Sequence, residues 1–399
     1  MNAMTPSNWK SSTLGECCEI VSGGTPKRAV AEYWGGEIPW VTPKDISDLA
    51  CPEFSNPPEN ISSLGLKKSS AALLPAGAIL MSSRAPIGLL AIAAKPMATN
   101  QGFKSFVPGP ELDSRFLYYA LRRLVPLIQD RGTGATFKEV SKTVVSEIPI
   151  SFPVDIREQR RIAAILDKSE GIRRKHQDVL KMADTFLSAV FKEMFGDPTR
   201  NRCGFPIGTI RDLVEDVRYG TSKKATVDGG AYPVLRMGNI TYSGSLDVGD
   251  LKFVDLDEGE RRKYILRQGD ILFNRTNSPD LVGKTAVFDL EDEYSFAGYL
   301  VRARAIAEVA DPYYISGYLN SKHGKATLRG MCKSIIGMAN INAQEMQNIE
   351  ICIPPISLQR KYRGLCRRID KVKKVAIEGD RNGADVFSAL SQKAFRGEL

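Results

Sequence analysis

The sequence repeats itself in order, and this duplication limits the folds that the chain can adopt. Residues 38–46 (Ile-Pro-Trp-Val-Thr-Pro-Lys-Asp-Ile) return in outline as residues 232–240 (Tyr-Pro-Val-Leu-Arg-Met-Gly-Asn-Ile). Three further segments recur in the same order: 74–80 as 266–272, 148–153 as 349–355, and 158–161 as 358–361. A period of roughly 200 residues is far too long for a solenoid. The duplication therefore predicts two copies of one domain-sized scaffold that carry different recognition surfaces.

Each copy divides into a strand-rich part and a long helix. Residues 1–155 contain many Gly and Pro residues and short β-branched runs. This pattern predicts short strands separated by turns, with some helix around residues 114–127. From Ile162 onward, core-like positions alternate by four and three residues, which predicts a heptad seam with a polar middle on a helix of roughly 39 residues. The seam positions are Ile162, Leu166, Ser169, Arg173, His176, Leu180, Ala183, Leu187, Val190 and Met194.

The second copy predicts a second long helix of matching length. Its seam positions are Leu365, Ile369, Val372, Ala376, Gly379, Gly383, Val386 and Leu390. Two such seams would pair as an antiparallel coiled coil, because an isolated seam leaves an apolar stripe in water. The small residues would make room for Arg173 and His176. The alternative is that each helix packs only on its own domain. The expected fold is α+β, in four segments: 1–155, 156–197, 198–355 and 356–399.

Charge and composition narrow the class of partner. The 399-residue chain has a net charge of +9 and a pI near 9.1, which indicates an anionic partner, most commonly a nucleic acid. The alternative on charge alone is a merely basic soluble enzyme. Seven cysteines without a CxxC pair predict reduced thiols rather than a disulfide framework or a zinc site. No signal-peptide pattern or membrane-spanning apolar run is present, so we expect a soluble, cytoplasmic protein with no membrane partner.

The residue types argue against an enzyme. Only two histidines occur, His176 and His323, with no accompanying cysteine pair or carboxylate cluster, so a catalytic triad or a histidine-rich metal site is not expected. No P-loop is present. Residues 56–59 (Asn-Pro-Pro-Glu) resemble the tetrad that holds a flipped adenine in amino-methyltransferases, but Glu59 replaces the aromatic residue that stacks on the base. Residues 311–314 (Asp-Pro-Tyr-Tyr) have the aromatic residues but lack the second proline.

Several segments together resemble a known family. They are 14–16 (Leu-Gly-Glu), 20–26 (Ile-Val-Ser-Gly-Gly-Thr-Pro), 33–36 (Tyr-Trp-Gly-Gly), 38–41 (Ile-Pro-Trp-Val), 83–88 (Ser-Arg-Ala-Pro-Ile-Gly), 99–103 (Thr-Asn-Gln-Gly-Phe), 132–137 (Gly-Thr-Gly-Ala-Thr-Phe), 158–167 (Glu-Gln-Arg-Arg-Ile-Ala-Ala-Ile-Leu-Asp) and 394–399 (Ala-Phe-Arg-Gly-Glu-Leu). In this order and duplicated, they resemble the specificity (S) subunit of a Type I restriction-modification system, over essentially the whole chain.

The resemblance implies a function for each segment. Residues 1–155 and 198–355 would be two target recognition domains, each reading one half of a split, asymmetric double-stranded DNA site. The long helices at 156–197 and 356–399 would fix the spacing of the halves and dock two methyltransferase subunits. Those subunits would carry S-adenosylmethionine and modify an adenine in each half, and two translocating, cleaving restriction subunits would complete the complex. The chain itself would hold no cofactor or metal and have no catalytic activity.

DNA contacts are expected from polar residues in loops that follow strands. Arg reads guanine, Asn and Gln read adenine, and Lys, Ser and Thr hold phosphates. The candidates in the first copy are Lys44, Ser82, Ser83, Arg84, Asn100, Gln101, Thr133, Thr136 and Lys138. Those in the second copy are Arg236, Asn239, Asn274, Arg275, Thr276, Asn277, Lys284, Asn340, Asn342 and Gln344. Arg84 and Arg275 lead the list, because both follow the echoed Ile-Leu pairs. The alternative is that these polar residues cap and close turns.

Basic runs on the long helices leave two interpretations open. They are residues 157–161, 173–176, 367–368 and 371–374. They either face the DNA between the two half-sites or solvate exposed helix faces. Two alternatives for the whole chain also remain: a self-contained adenine methyltransferase, and a scaffold that acts only in assembly.

Overall fold

The computed structural model describes residues 6–49, 51–134, 138–198, 200–332 and 339–399. It divides into two compact units. Unit 1 comprises Met1–Gln177 together with Glu378–Leu399, and unit 2 comprises Asp178–Ile377. All seven cysteines are free thiols. Among the described residues, no helix is both long enough and apolar enough to cross a membrane.

Unit 1 contains short strands around a small set of helices. Its strands are β1 (Trp9–Thr13), β2 (Cys18–Ser22), β3 (Trp34–Val41), β4 (Glu53–Phe54), β5 (Glu59–Ile61), β6 (Ile79–Met81), β7 (Leu90–Ala93), β8 (Ala98–Thr99), β9 (Lys104–Pro108) and β10 (Pro149–Pro153). Its short helices are α1 (Leu14–Cys17), α2 (Ser63–Lys67), α3 (Ser114–Asp130) and α4 (Lys142–Ser146), with 3-10 turns at Ala31–Tyr33 and Pro43–Ile46. The strands form sheets in the orders β2-β9-β6-β7-β4, β5-β3-β8 and β1-β10. The predicted helix near 114–127 is confirmed as α3.

The longest helix, α5 (Ile156–Phe195), starts in unit 1 and ends in unit 2. The helix α10 (Ile356–Ala394) starts in unit 2 and ends in unit 1. Both long helices were predicted from the heptad pattern.

Unit 2 repeats the arrangement of unit 1. Its strands are β11 (Ile207–Thr209), β12 (Val214–Tyr219), β13 (Tyr232–Leu235), β14 (Lys252–Val254), β15 (Ile271–Asn274), β16 (Thr276–Asn277), β17 (Thr285–Val287), β18 (Ser295–Phe296), β19 (Leu300–Ala305), β20 (Ala339–Asn340) and β21 (Glu350–Cys352). Its helices are α6 (Glu258–Tyr264), α7 (Pro312–Asn320), α8 (Lys322–Met331) and α9 (Ala343–Gln347), with 3-10 turns at Ile210–Leu213 and Met237–Asn239. The sheet orders are β12-β19-β15-β17, β14-β13-β18, β11-β21 and β16-β20.

A buried glutamine ties three parts of unit 1 together at the start of α5. The Gln159 side chain is fully buried. Its Nε2 donates to the carbonyl oxygens of Glu111 and Pro153, both at 2.8 Å, and its Oε1 accepts from the Asp113 N–H at 2.8 Å. Asp113 in turn caps α3 by accepting from the N–H groups of its first turn. The bonds therefore join the end of β10, the start of α3 and the start of α5.

Unit 2 contains the same buried junction. Gln359 is also fully buried, and its Nε2 donates to the carbonyl oxygens of Val309 at 3.1 Å and Pro354 at 2.8 Å. Its Oε1 accepts from the N–H of Asp311 at 2.9 Å, and Asp311 caps α7. The repeated sequence around 158–161 and 358–361 thus preserves a hydrogen-bonded joint, because loss of the glutamine would remove three hydrogen bonds to backbone groups.

Matching glycines close the same turn in both units. Gly88 has φ +96° and Gly283 has φ +79°, a region that favours glycine. A Cβ at Gly88 would lie 2.5 Å from Cγ1 of Val125 on α3, and a Cβ at Gly283 would lie 2.6 Å from Cδ1 of Leu328 on α8. Each glycine therefore allows a strand turn to approach a helix closely.

The seam predicted on α10 is shifted by one residue at two of its eight positions. Val372 and Val386 are 47% and 52% exposed, whereas the neighbouring Lys373 is buried and Phe387 packs on the core of unit 1. The hydrophobicity pattern selected the valines because it treats Lys373 as a surface residue. In the structure, the ammonium of Lys373 is paired with Asp184 inside unit 2.

The two long helices contact each other within each unit. In unit 1, Nε2 of Gln177 donates to Oδ1 of Asp380 at 3.1 Å. A Cβ at Gly379 would lie 2.4 Å from Cε1 of His176, and one at Gly383 would lie 3.6 Å from Cβ of Arg173. The imidazole thus occupies the space that a side chain at 379 would need. These contacts join segments that run in opposite directions, and the pairing of the whole helices as a coiled coil stays a prediction.

Candidate nucleic-acid interface

In unit 1, Arg84 lies on a short ladder formed after β6. Arg84 and Thr133 both pair with Glu139 as isolated bridges. Nε of Arg84 lies 3.1 Å from Oε2 of Glu139, and the guanidinium is half exposed. Lys138 is exposed beside this ladder, as is Thr133. The ladder therefore presents Arg84, Thr133 and Lys138 to solvent from one place.

The two serines before Arg84 are buried instead. Ser82 and Ser83 are both fully buried. The Ser82 hydroxyl donates to the carbonyl oxygen of Pro86 at 2.6 Å and accepts from the N–H of Leu89 at 2.9 Å. We therefore remove both serines from the predicted DNA contacts, because Ser82 closes the turn and both side chains are buried.

The other candidates in unit 1 differ in exposure. Lys44 and Gln101 are exposed, and Gln101 accepts a hydrogen bond from Thr25. Oδ1 of Asn100 accepts from the N–H of Gly102 at 2.9 Å, which shapes the turn. Thr136 lies outside the described residues.

In unit 2, Arg275 contacts two tyrosines in different ways. Its guanidinium lies 4.9 Å from the ring centroid of Tyr219, and its backbone N–H donates to the carbonyl oxygen of Tyr299 at 3.1 Å. The Tyr219 hydroxyl accepts from the N–H of Ala343 at 3.0 Å, and Nη1 of Arg275 is 3.5 Å from the carbonyl oxygen of Gly298. Both tyrosines are exposed. The result is a half-buried arginine whose guanidinium lies over the Tyr219 ring and whose backbone pairs with Tyr299.

The two tyrosines were missed in the sequence. Tyrosine at a strand end is as common in a core as on a surface, so Tyr219 and Tyr299 carried no distinguishing signal. Their pairing with Arg275 depends on contacts between distant parts of the chain, which sequence spacing does not show.

Arg84 and Arg275, the leading candidates from the sequence, do not occupy equivalent positions in the two units. The N–H of Ser83 donates to the carbonyl oxygen of Gly102, and its own carbonyl oxygen accepts from Val140. Arg275 makes the same pair of bonds with Tyr299 and Ile341. Ser83, not Arg84, is therefore the counterpart of Arg275. Arg84 follows its Ile-Leu pair by four residues and Arg275 follows its pair by three, so the two arginines differ by one residue in register.

The polar residues next to Arg275 form a small two-stranded ladder. Thr276 pairs with Asn340, and Asn277 with Ala339. Thr276 is buried, with its hydroxyl 3.4 Å from Oδ1 of Asn340. Asn340 is exposed and Asn277 is half-buried. In this ladder, Asn340 offers an exposed side-chain amide and Asn277 a partly exposed one.

The candidates at α9 have separate roles. Oδ1 of Asn342 accepts from the N–H of Gln344 and of Glu345, both at 2.9 Å, so Asn342 is the N-cap of α9. Gln344 is exposed on the first turn of the same helix. The cap is the turn-closing role that the sequence left open, and Gln344 stays a candidate contact.

Two candidate asparagines of unit 2 are buried. Nδ2 of Asn239 donates to the carbonyl oxygens of Asp247 at 2.9 Å and Asp250 at 2.8 Å. Nδ2 of Asn274 donates to the carbonyl oxygen of Leu281 at 3.3 Å. We remove both residues, and Thr276, from the predicted DNA contacts.

Lys284 and Arg236 also bind other parts of the protein. The buried ammonium of Lys284 donates to the carbonyl oxygens of Met237, at 2.9 Å, and Ile240, and burial lowers its pKa. Lys284 is therefore removed as well. Arg236 is half-buried and pairs with Asp250 at 2.9 Å, so it stays a candidate whose guanidinium has a competing partner.

The described residues contain no cluster of three or more His, Cys, Asp or Glu side chains that could hold a metal ion. The retained candidates and their neighbours present arginine, lysine, amide and tyrosine groups near the ends of strands. These groups suit hydrogen bonding to base edges and phosphates.

Comparison with known proteins identifies the family. The sequence pattern described as "Type I restriction modification DNA specificity domain" matches residues 6–181 and again residues 206–375. The chain belongs to this family and contains two copies of its domain. The resemblance stated from the sequence motifs is thereby confirmed.

Individual relatives agree with this assignment. The chain is 33% identical over 387 residues to the Type I restriction enzyme MjaIX specificity subunit of Methanocaldococcus jannaschii, covering 90% of this chain and 86% of that protein. It is 24% identical to the EcoKI specificity subunit of Escherichia coli K12, covering 68% and 62% of the two chains. The crystal structure of a Type I restriction-modification S subunit from M. genitalium has the same fold, with a TM-score of 0.61, 14% identity, and coverage of 99% of this chain and 98% of that one.

Proposed function

We propose that this chain is a non-catalytic, cytoplasmic subunit that reads a bipartite, asymmetric double-stranded DNA site for a Type I restriction-modification complex. Each unit would read one half-site. Two methyltransferase subunits would supply S-adenosylmethionine and modify the DNA, and two restriction subunits would join them. The observation that carries the proposal is a duplicated framework that carries unlike side chains at matching positions. Both units share the glutamine joint, whereas Ser83 and Arg275 differ at the same register.

The proposed DNA contacts are the candidates that keep exposed or half-exposed polar groups and that neither shape a turn, as Asn100 does, nor cap a helix, as Asn342 does. In unit 1 they are Lys44, Arg84, Gln101, Thr133 and Lys138, and in unit 2 they are Arg236, Arg275, Asn277, Asn340 and Gln344. Arg84 and Arg275 would read bases, because a guanidinium can form two hydrogen bonds to guanine. The exposed lysines would neutralise phosphates, which gives affinity without sequence preference.

The exposed apolar residues of the long helices support the proposed docking of methyltransferase subunits. On α5, Val179, Met182 and Phe186 are exposed, and on α10, Val372 and Val375 are exposed. Apolar side chains at such spacing leave a stripe in water that a partner protein would cover. Within this region, Lys371 and Lys374 are exposed whereas Lys373 is buried. Only the first two can therefore contribute to the salt dependence of DNA binding.

A genome-wide map of modified adenines tests the proposal. The full chain is expressed with its neighbouring methyltransferase subunit, and a second strain carries the chain with residues 206–355 replaced by those of a relative. We expect a split motif of which only one half changes after the replacement. A motif that changes in both halves, or the absence of any modification in both strains, would contradict the proposal.

Binding of labelled S-adenosylmethionine separates this proposal from an intrinsic methyltransferase. We expect no binding to the chain alone and binding once the methyltransferase subunit is added. Cofactor bound by the chain alone would favour the enzyme instead. Adding DNA to the complex then separates a reader from an assembly scaffold, since only a reader distinguishes its own site from random DNA.

A further inference from the structure

One segment of unit 2, residues 236–246, is held by three lysine ammoniums from three different elements. Lys284, immediately before β17, donates to the carbonyl oxygens of Met237 and Ile240. Lys325, on α8, donates to the carbonyl oxygen of Tyr242 at 2.6 Å, and its Nζ lies 3.1 Å from the centroid of the Tyr242 ring. The third ammonium, that of Lys373 on α10, lies 3.2 Å from Oγ of Ser245. The 236–246 segment directly follows β13 and includes Arg236, a proposed DNA contact.

Two of these ammoniums are buried, and the third lines a cavity. Lys284 and Lys373 are buried. Lys325 lines a cavity of about 380 Å³ whose wall includes Tyr242 and Ser245. Burial lowers the pKa of Lys325 to about 8. Desolvating an ammonium is costly, and an apolar side chain of similar size would fill the same space more cheaply.

The ammoniums fix the orientation of the peptide groups that they bind. An apolar contact holds a loop without fixing the orientation of its peptide groups, whereas an ammonium between two carbonyl oxygens fixes both. Lys284 spans the 3-10 turn Met237–Asn239, since it bonds the carbonyl oxygens of Met237 and Ile240. Gly238, within that turn, has no atom within 4 Å of the position that a Cβ would take. The bonds therefore fix a turn whose tip is open to solvent.

Unit 1 holds the corresponding segment differently. The N–H of Asn274 donates to the carbonyl oxygen of Lys284, and the N–H of Ser82 donates to that of Leu89, so Leu89 is the counterpart of Lys284. Leu89 packs with Ile46 in an apolar cluster of unit 1. The ammonium bonds thus belong to unit 2 rather than to the shared framework.

We propose that Lys284, Lys325 and Lys373 are positioning residues for half-site reading by unit 2. They orient the 236–246 segment through its carbonyl and hydroxyl oxygens and do not contact DNA phosphates. The inference rests on the proposed function, because it assigns these lysines to the recognition surface of the same domain. It also separates them from the exposed lysines, whose charges would face the phosphates.

The test uses the full chain in complex with its methyltransferase subunit and compares Lys284→Met, Lys325→Met and the control Lys322→Met. Lys322 is exposed and lies on the same helix as Lys325. Each variant is titrated with DNA duplexes altered in either half-site, at several salt concentrations, and its thermal unfolding is recorded. Methionine keeps most of the aliphatic volume of lysine and removes the charge.

We expect Lys284→Met and Lys325→Met to lower discrimination at the unit 2 half-site by about tenfold, the scale of one hydrogen bond to a charged group. The unit 1 half-site and the salt slope should be unchanged. The unfolding temperature should change little, because removal of a desolvated charge offsets the loss of its hydrogen bonds. The control should match the unaltered protein in all three measurements. Should Lys284→Met not fold, the more accessible Lys325→Met variant decides alone.

Two results would overturn the inference: unchanged discrimination at both half-sites, or a salt slope reduced by about one unit, as a phosphate contact predicts. A loss of discrimination accompanied by an equal loss of stability would also overturn it, since that pattern marks a merely structural lysine. If the unaltered complex itself shows no sequence preference, the proposed function fails instead, and the two failures are thereby distinguished.

Discussion

The two units share a backbone framework but present unlike surfaces at matching positions. Tyr219 on β12 is the counterpart of Ser22 on β2, because each pairs with an equivalent residue of its neighbouring strand, β19 in unit 2 and β9 in unit 1. Arg275 and Tyr299 take the places of Ser83 and Gly102. Unit 2 therefore has an arginine and two aromatic rings where unit 1 has two serines and a glycine. A single scaffold can carry different recognition surfaces because the hydrogen bonds that stabilise its fold lie in the main chain and in the buried joints.

This contrast separates residues that fold the chain from residues that distinguish its ligands. Altering a residue of the first kind should have the same effect on stability in both units. Those of the second kind should affect one half-site and leave the other intact.

The largest expected effect comes from the shared joint. Replacing Gln159 or Gln359 with Leu removes three hydrogen bonds to backbone groups, and an unsatisfied buried group costs roughly 1–3 kcal/mol. Because some of these groups are only partly buried, we expect about 3 kcal/mol of destabilisation in either variant. Hydrogen exchange measured peptide by peptide should show the loss in unit 1 for Gln159→Leu and in unit 2 for Gln359→Leu. Gln392→Leu, at an exposed position of α10, is the control. Unequal losses would mean that the two joints are not equivalent.

Arg275→Ala should have the next largest effect. We expect about 1–3 kcal/mol less discrimination at the unit 2 half-site, with the unit 1 half-site unchanged. Competition titrations against duplexes altered in one half at a time measure both. The matched variant Arg84→Ala should affect only the other half-site. An equal loss on random DNA would show that Arg275 contacts a phosphate.

Tyr219→Phe should have a smaller effect. It removes the hydroxyl that accepts from the N–H of Ala343 and keeps the ring beside Arg275. One neutral hydrogen bond contributes about 0.5–1.5 kcal/mol to stability. Denaturant unfolding should detect this loss, whereas DNA discrimination should persist. Loss of discrimination with the ring intact would show that the hydroxyl, rather than the ring, positions the arginine.

The last expected effect is a pH dependence confined to unit 2. Burial, the nearby Lys284 ammonium and, in opposition, Asp184 together lower the pKa of Lys325 to about 8 from an ordinary value of 10.5. The folded state therefore binds this proton less tightly than the unfolded state, so this group adds stability as pH rises from about 8 toward 10.5. Lys325→Met should remove that increment from unfolding curves measured across this range. An identical pH profile in the variant would contradict the assignment.

Much of the fold could be predicted, because duplicated patterns record repeated constraints. The joint at Gln159 and Gln359 was visible as an echo, although its role as a buried hydrogen-bonding residue was not. The shift on α10 arose because a paired, buried Lys373 has the sequence signature of a surface residue. Hydrophobicity therefore chose Val372 instead.

The recognition surface was less predictable than the fold. Asn239, Asn274 and Lys284 have side chains suited to reading DNA, but in the structure they are buried and donate to backbone carbonyl oxygens. Residue type alone cannot distinguish these two uses, because both need the same donors. Tyr219 and Arg275 are distant in sequence, and only the pairing of strands brings them together.

The repeated joint also has a consequence for the gene. In both copies the glutamine donates to the carbonyl oxygen of a proline at or just after the end of the preceding strand, Pro153 or Pro354, at 2.8 Å. The proline precedes the glutamine by six residues in the first copy and by five in the second. A crossover within these codons that keeps either spacing would place one copy's strand before the other copy's helix and would keep both partners of the hydrogen bond. The codons that specify the joint thus mark a place where new combinations of readers can be spliced without a misfolded boundary.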